Sequence, residues 1–176
     1  GDIIFRRSEG NANYIYRMRR DGSEPARIVP HSILNIKAVS PDHRWAIILA
    51  PGDGTPSTDV IAVPVRGGPA RRICAGQCTA KWTADGKQFF VRPLVEKSDS
   101  GKAVFFDLNR GEMLPQLPPS GLSTTADAAR IQGSSVLDMS AYPRQDQLQL
   151  SLGPGAQVLA YTKTTVHQNL FRVSLR

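Results

Sequence analysis

Ala38-Val39-Ser40-Pro41-Asp42-His43-Arg44-Trp45-Ala46-Ile47 is answered further along the chain by Ala80-Lys81-Trp82-Thr83-Ala84-Asp85-Gly86-Lys87-Gln88-Phe89-Phe90. A weaker copy is Ser151-Leu152-Gly153-Pro154-Gly155-Ala156-Gln157-Val158-Leu159-Ala160. Each joins two apolar runs through a tight polar turn, in which proline pre-sets φ at the first corner and Asp or Gly tolerates the next. The pattern predicts a hairpin of two strands.

A second repeat runs toward a turn in Ile15-Tyr16-Arg17-Met18-Arg19-Arg20-Asp21-Gly22, Val60-Ile61-Ala62-Val63-Pro64-Val65-Arg66-Gly67, Val104-Phe105-Phe106-Asp107-Leu108-Asn109-Arg110-Gly111 and Leu170-Phe171-Arg172-Val173-Ser174-Leu175-Arg176. These copies start 45, 44 and 66 residues apart. Two intervals match the ~40–45 residues of a four-stranded propeller blade, and the third is longer by about 22, as an insertion makes it. A third signal follows the glycine turns in Pro25-Ala26-Arg27-Ile28-Val29, Pro69-Ala70-Arg71-Arg72-Ile73-Cys74 and Glu112-Met113-Leu114-Pro115. Their charge and proline suit outer strands that must resist pairing with other chains.

Composition agrees with this reading. The chain has 176 residues, 40% of them hydrophobic, with 15 Gly and 13 Pro spread along its length. It can bury a sizeable core, and no apolar run reaches the ~18 residues that span a bilayer. Punctuation breaks every stretch that could carry a long helical stripe. We therefore expect an all-β chain, a β-propeller segment of about four blades of four-stranded antiparallel sheets within a larger propeller. The blade units are read at residues 2–30, 33–75, 78–117 and 148–176, with an insertion at 118–147. In that insertion Ala126-Asp127-Ala128-Ala129-Arg130-Ile131 suits a short helical turn capped by Thr124 or Thr125.

The Ser-Pro-Asp hairpin, the apolar strand ending in Asp-Gly or Gly-Gly, and the Arg-Arg-Ile outer strand together resemble the blades of TolB-like, WD-repeat-like bacterial β-propellers. The C-terminal stretch from Tyr161 is similar to the last blade of propellers that follow a kinase or winged-helix domain in bacterial regulators. The resemblance implies fold more than function, since propellers host binding modules, lyases and peptidase lids alike. The strand order predicts ragged ends: a second strand comes first, over residues 3–7, and a third strand comes last, over 170–175. We expect the missing strands upstream of Gly1, and a homo-oligomer formed through the exposed end blades.

Nucleophile chemistry finds no support. No Gly-x-Ser-x-Gly elbow is present, and Gly133-Ser134-Ser135 reads as a loop pair. His31, His43 and His167 share no metal-ligand spacing. Cys74 and Cys78 are the only cysteines, with neither a second pair nor a neighbouring His for zinc. A local disulfide and two reduced thiols both remain open. No cofactor or metal is expected.

The candidate binding surface has two parts. Asp53, Thr55, Ser57 and Asp59 sit in one predicted hairpin loop with oxygen ligands at alternate positions, but without the bidentate Glu of an EF-hand. Asp99 lies in the corresponding loop of the next blade, so both loops should share one rim. The net charge of +7 supplies the second part: Arg6 and Arg7 on one strand, and Arg17, Arg19 and Arg20 on its hairpin partner. Alternation puts Arg17 and Arg19 on one face, where they could meet phosphate or an acidic polymer. No helix-turn-helix, finger or stacking pattern accompanies them, so nucleic acid is not the expected partner.

The reading is a non-catalytic binding module for a protein or small-molecule ligand, the sensing part of a bacterial regulatory protein. Two alternatives belong to other classes. One is the gating lid of a prolyl-oligopeptidase-like hydrolase; the other is a TolB-like scaffold, which carries a periplasmic address.

Overall fold

The computed structural model describes residues 2–52, 57–93, 102–138, 150–152 and 159–161. The chain is all-β, built from antiparallel sheets whose strands follow one another up and down. The first sheet contains β1 (Ile3–Glu9), β2 (Ala12–Met18) and the two-residue β3 (Ala26–Arg27). The second is four-stranded: β4 (Asn35–Val39), β5 (Trp45–Pro51), β6 (Thr58–Pro64) and β7 (Arg71–Cys74). In the third, β8 (Cys78–Trp82), β9 (Gln88–Pro93) and β10 (Lys102–Asp107) are completed by β11 (Ser134–Asp138), after the short helix α1 (Thr125–Ala129). A further pair, β12 (Leu150–Leu152) and β13 (Leu159–Tyr161), is described apart from the rest of the unit read at 148–176.

Register makes the second and third sheets copies. Ile48 pairs with Ile61 in one, and Val91 with Val104 in the other, a shift of 43 residues on both strands. The apparent spacing of 44 therefore slips by one at this strand, and Val60 corresponds to Ala103, not Val104. The slip matters because one residue of register exchanges the two faces of a strand.

The turns share their main hydrogen bonds. Ser40 Oγ donates to Asp42 Oδ1 at 2.6 Å and accepts from the Trp45 amide at 2.9 Å. In the third sheet Thr83 Oγ1 donates to Asp85 Oδ1 at 2.7 Å and accepts from the Gln88 amide at 3.0 Å. Each buried hydroxyl thus closes its own hairpin. The left-handed corner is Gly86 (φ 69°) in one turn and His43 (φ 59°) in the other. A side chain there carries a cost that glycine does not. His43→Gly is accordingly expected to stabilise the chain by about 0.5–1 kcal/mol, read as a rise in the urea midpoint at unchanged slope.

Alternation buries both faces of the second sheet. Ala46, Ile48, Ala50 and Val63 pack toward Ile15 and Val29 of the first unit and Ile33 at the junction between the two. Ile47, Val60 and Ala62 pack toward Trp82, Phe89, Val91, Val104 and Phe106 of the third. Successive sheets therefore stack face to face in chain order, as propeller blades do.

The third sheet departs from expectation at its outer strand. Glu112-Met113-Leu114-Pro115 does not pair with β10. Asn109 and Glu112 close a turn (amide to carbonyl, 3.0 Å), the Met113 carbonyl accepts from Trp82 Nε1 at 2.5 Å, and Leu114 is buried in the core. With that segment drawn beneath the sheet, the edge of β10 is taken by β11, from within the stretch read as an insertion. Part of the same stretch is pinned to the second sheet, where Leu122 bridges Cys74 in parallel and its amide donates to the Ile73 carbonyl at 2.8 Å. The helix forms where expected, and Thr124 is its cap: Thr124 Oγ1 accepts from the Asp127 amide at 3.1 Å while Asp127 Oδ2 accepts from the Thr124 amide at 3.2 Å.

Cys74 and Cys78 form a disulfide across the hand-over from β7 to β8. Closing so short a loop restricts the unfolded chain modestly. Replacing both cysteines by serine should lower stability by about 2 kcal/mol. Thiol alkylation without reductant should leave the wild-type mass unchanged.

Candidate functional site

The first sheet has two unlike faces. Ile4, Arg6, Ile15 and Arg17 share the face turned to the second sheet, because Ile4 pairs with Arg17 and Arg6 with Ile15. The opposite face carries Ile3, Phe5, Arg7, Tyr14, Tyr16 and Met18, with Arg27 joining from β3. Phe5 stacks on Tyr16 with ring centroids 5.7 Å apart. The Arg27 guanidinium lies 3.8 Å from the centre of the Tyr14 ring, and Arg7 lies 5.6 Å from that of Tyr16. Glu9 ties the group together, accepting from Tyr16 Oη at 2.5 Å and from Arg27 at 2.5 Å.

This face differs in composition from its counterpart in the second sheet. Ile3, Phe5, Tyr16 and Met18 stand where the second sheet has Ala46, Ile48, Ile61 and Val63, the residues that pack on the neighbouring unit. Arg7 and Tyr14 stand where Ala50 and Asp59 do. Aliphatic side chains give way to aromatic rings with polar tips and stacked guanidinium groups, a composition enriched in protein interfaces. The sequence held a signal for it, since Tyr14 and Tyr16 alternate on one strand opposite Phe5 across the Gly10 turn. Net charge carries no trace of it.

The Tyr16 hydroxyl, followed by the charges of Arg27 and Arg7, holds the Glu9 carboxyl below its ordinary value of 4.5. Hydrogen bonds from Thr83 and the Lys87 amide lower Asp85 below 3.8 in the same way. A carboxyl depressed by folding contributes stability that is present above its unfolded pKa and is lost as pH falls through its folded value. Stability should therefore hold from neutral pH down to about pH 5 and fall below about pH 4.5, with a shallower fall in Glu9→Gln.

The basic residues do not gather as expected. Arg6 donates to the Leu34 carbonyl at 3.2 Å, and Arg17 lies 3.7 Å from Asp2. Arg19 does not share a face with Arg17. β2 ends at Met18, the Arg19 carbonyl accepts from Gly22, and its side chain pairs with Glu24 at 2.9 Å. Asp21 fixes that turn by accepting from the Ser23 amide and hydroxyl.

Asp59 is also relocated. It lies on β6 rather than in a loop, 6% exposed, paired with Arg72 and accepting from the Gly76 amide at 3.3 Å. The pairing of Ala50 with Asp59 in the strand ladder draws the carboxylate inward. Beside it opens a cleft of about 480 Å³, lined by His31, Ser32, Ala50, Pro51, Ile61 and the Asp59–Arg72 pair. Asp53, Thr55, Asp99, Arg172 and His167 lie outside the described residues. Among the described residues no group of three or more His, Cys, Asp or Glu is placed to hold a metal, and no helix is long and apolar enough to cross a membrane.

No protein-family model matches the chain, and no curated protein matches it. Among solved structures it is similar to the crystal structure of TolB from Acinetobacter baumannii, with 22% identity and a TM-score of 0.46. That match covers 63% of this chain and 28% of the TolB chain.

Proposed function

We infer that the chain is a non-catalytic protein-binding module and that its contact surface is the aromatic and guanidinium face of the first sheet. One observation carries the reading: positions that are aliphatic and buried or half-buried between the second and first units become Phe5, Tyr16 and Met18 here, flanked by Arg7 and Arg27. Such residues supply large, rigid contact area, and stacked arginines offer donors to a partner's acidic groups. The cleft beside Asp59 and Arg72 provides a place for a small ligand on the same molecule. A sensing role in a regulatory protein unites the two. Site-directed photo-cross-linking in cells tests the contact surface. A photoreactive phenylalanine analogue at Met18 should give a discrete protein adduct, and the same analogue at His43 should give none. Equal labelling at both positions, or at neither, refutes the reading.

The disulfide favours a second reading, a scaffold in an oxidising compartment outside the cytoplasm. Fractionation followed by alkylation of unreduced protein distinguishes it, since a cytoplasmic pool with free thiols is incompatible with that address.

A further inference from the structure

The ion pair of Asp59 and Arg72 is not a feature of the repeat. Where the ladders of the three sheets correspond, the place of Asp59 is taken by Tyr14 in the first sheet and by an exposed Lys102 in the third. A buried pair adds little to stability over an apolar filling of similar volume, so its presence here calls for another reason. The cleft beside it supplies one. Ala50 pairs with Asp59 and Ile61 with Arg72, so these four side chains share one face of the second sheet, and His31 and Pro51 help to enclose about 480 Å³ beside them. That volume lies in the range of small-ligand sites. Just beyond Arg72 the β6–β7 ladder slips by one residue, since Ile61 faces Arg72 while Val60 faces Cys74, and slips of this kind re-aim side chains beside binding sites.

Charge decides what fits. Arg72 Nε donates to Asp59 Oδ2 at 2.9 Å and Nη2 donates to the same oxygen, so the wall of the cleft presents both signs side by side. An ion of either sign is attracted by one partner and repelled by the other, whereas a zwitterion meets each with its complement. Both partners have capacity for it. A guanidinium has more N–H donors than one carboxylate oxygen takes up, and Asp59 Oδ1 accepts from the Gly76 amide at 3.3 Å with a lone pair beyond that bond. Exposed His31 adds an imidazole at the mouth, and Ala50, Pro51 and Ile61 form an aliphatic wall. We propose that the cleft, as the small-ligand site of the sensing module on which this inference rests, binds a free α-amino acid with an aliphatic side chain. Its carboxylate points to Arg72 and His31, its ammonium group to Asp59, and its side chain runs along Ala50, Pro51 and Ile61.

The test titrates the full chain by isothermal calorimetry with L-leucine and with its two single-charge analogues, isoamylamine and isocaproate. Leucine should bind saturably with a Kd below about 1 mM, and each analogue should bind about tenfold more weakly or worse. In Asp59→Asn the arginine loses its counter-ion and the ammonium group loses its acceptor, so isocaproate should now bind more tightly than leucine. Should that variant fail to fold, the three ligands on the wild-type chain still decide. An analogue that matches leucine, leucine binding that Asp59→Asn leaves unchanged, or no leucine binding at about 1 mM each overturns the proposal. Leucine binding without a Met18 adduct upholds the cleft and sinks the contact face, and an adduct without leucine binding does the reverse.

Discussion

Phe106→Ala is expected to destabilise the chain by about 3–5 kcal/mol, lowering Tm by about 6–20 °C for a domain of this size. Phe106 is 0% exposed and opposes Phe89, whose ring meets Trp82 edge to face at 5.3 Å. All three belong to the cluster that also contains Ile47, Val60 and Ala62 of the second sheet. Truncating the ring removes its burial and leaves a cavity between two sheets that relax only as far as their ladders allow. Val136→Ala is the control. Val136 opposes Val104 on the same face at the sheet's edge and is 49% exposed, so its loss should stay within about 0.5 kcal/mol. Equal losses in the two variants would show that the second and third sheets do not share a core.

The second large effect is asymmetric. Arg72→Ala should cost about 2 kcal/mol, less than the 3–5 kcal/mol of a fully buried pair because the Arg72 side chain is 30% exposed. It strands the carboxylate of Asp59, whose side chain is 8% exposed, with the Gly76 amide at 3.3 Å as a remaining donor. Asp59→Ala should cost about 1 kcal/mol, since the arginine it releases can turn to solvent. The double variant should resemble Asp59→Ala, because no carboxylate is then left unpaired. Urea unfolding of the four proteins measures the coupling, and strictly additive losses would exclude the pair as a unit.

Much of this fold was legible in the sequence because its signals are local. Hairpins around Asp42 and Asp85 are written in turn chemistry, and a repeated turn gives a repeated sheet. The strand over Ser134–Asp138 was not legible, since nothing local says which of two distant segments reaches the edge of β10. That choice depends on where Met113 and Leu114 are drawn by Trp82 and the core. Site residues fared differently for the same reason. Arg19 and Asp59 were read from neighbours in sequence, whereas Glu24, Arg72 and Gly76 decide their roles. The aromatic face was visible in spacing but not in net charge, and its kinship with the packed face of the second sheet emerges only when the two ladders are laid over one another.

The late arrival of β11 has a kinetic consequence. In the second sheet six residues separate β6 from β7, whereas 26 separate β10 from β11 in the third. The longer loop adds about 1.3 kcal/mol of closure entropy, close to a tenfold slower search. Folding should then proceed hairpin by hairpin until one pairing remains. During that interval β10 lacks its β11 partner, and the time spent waiting for residues 134–138 sets how long that edge stays open to pairing with other chains.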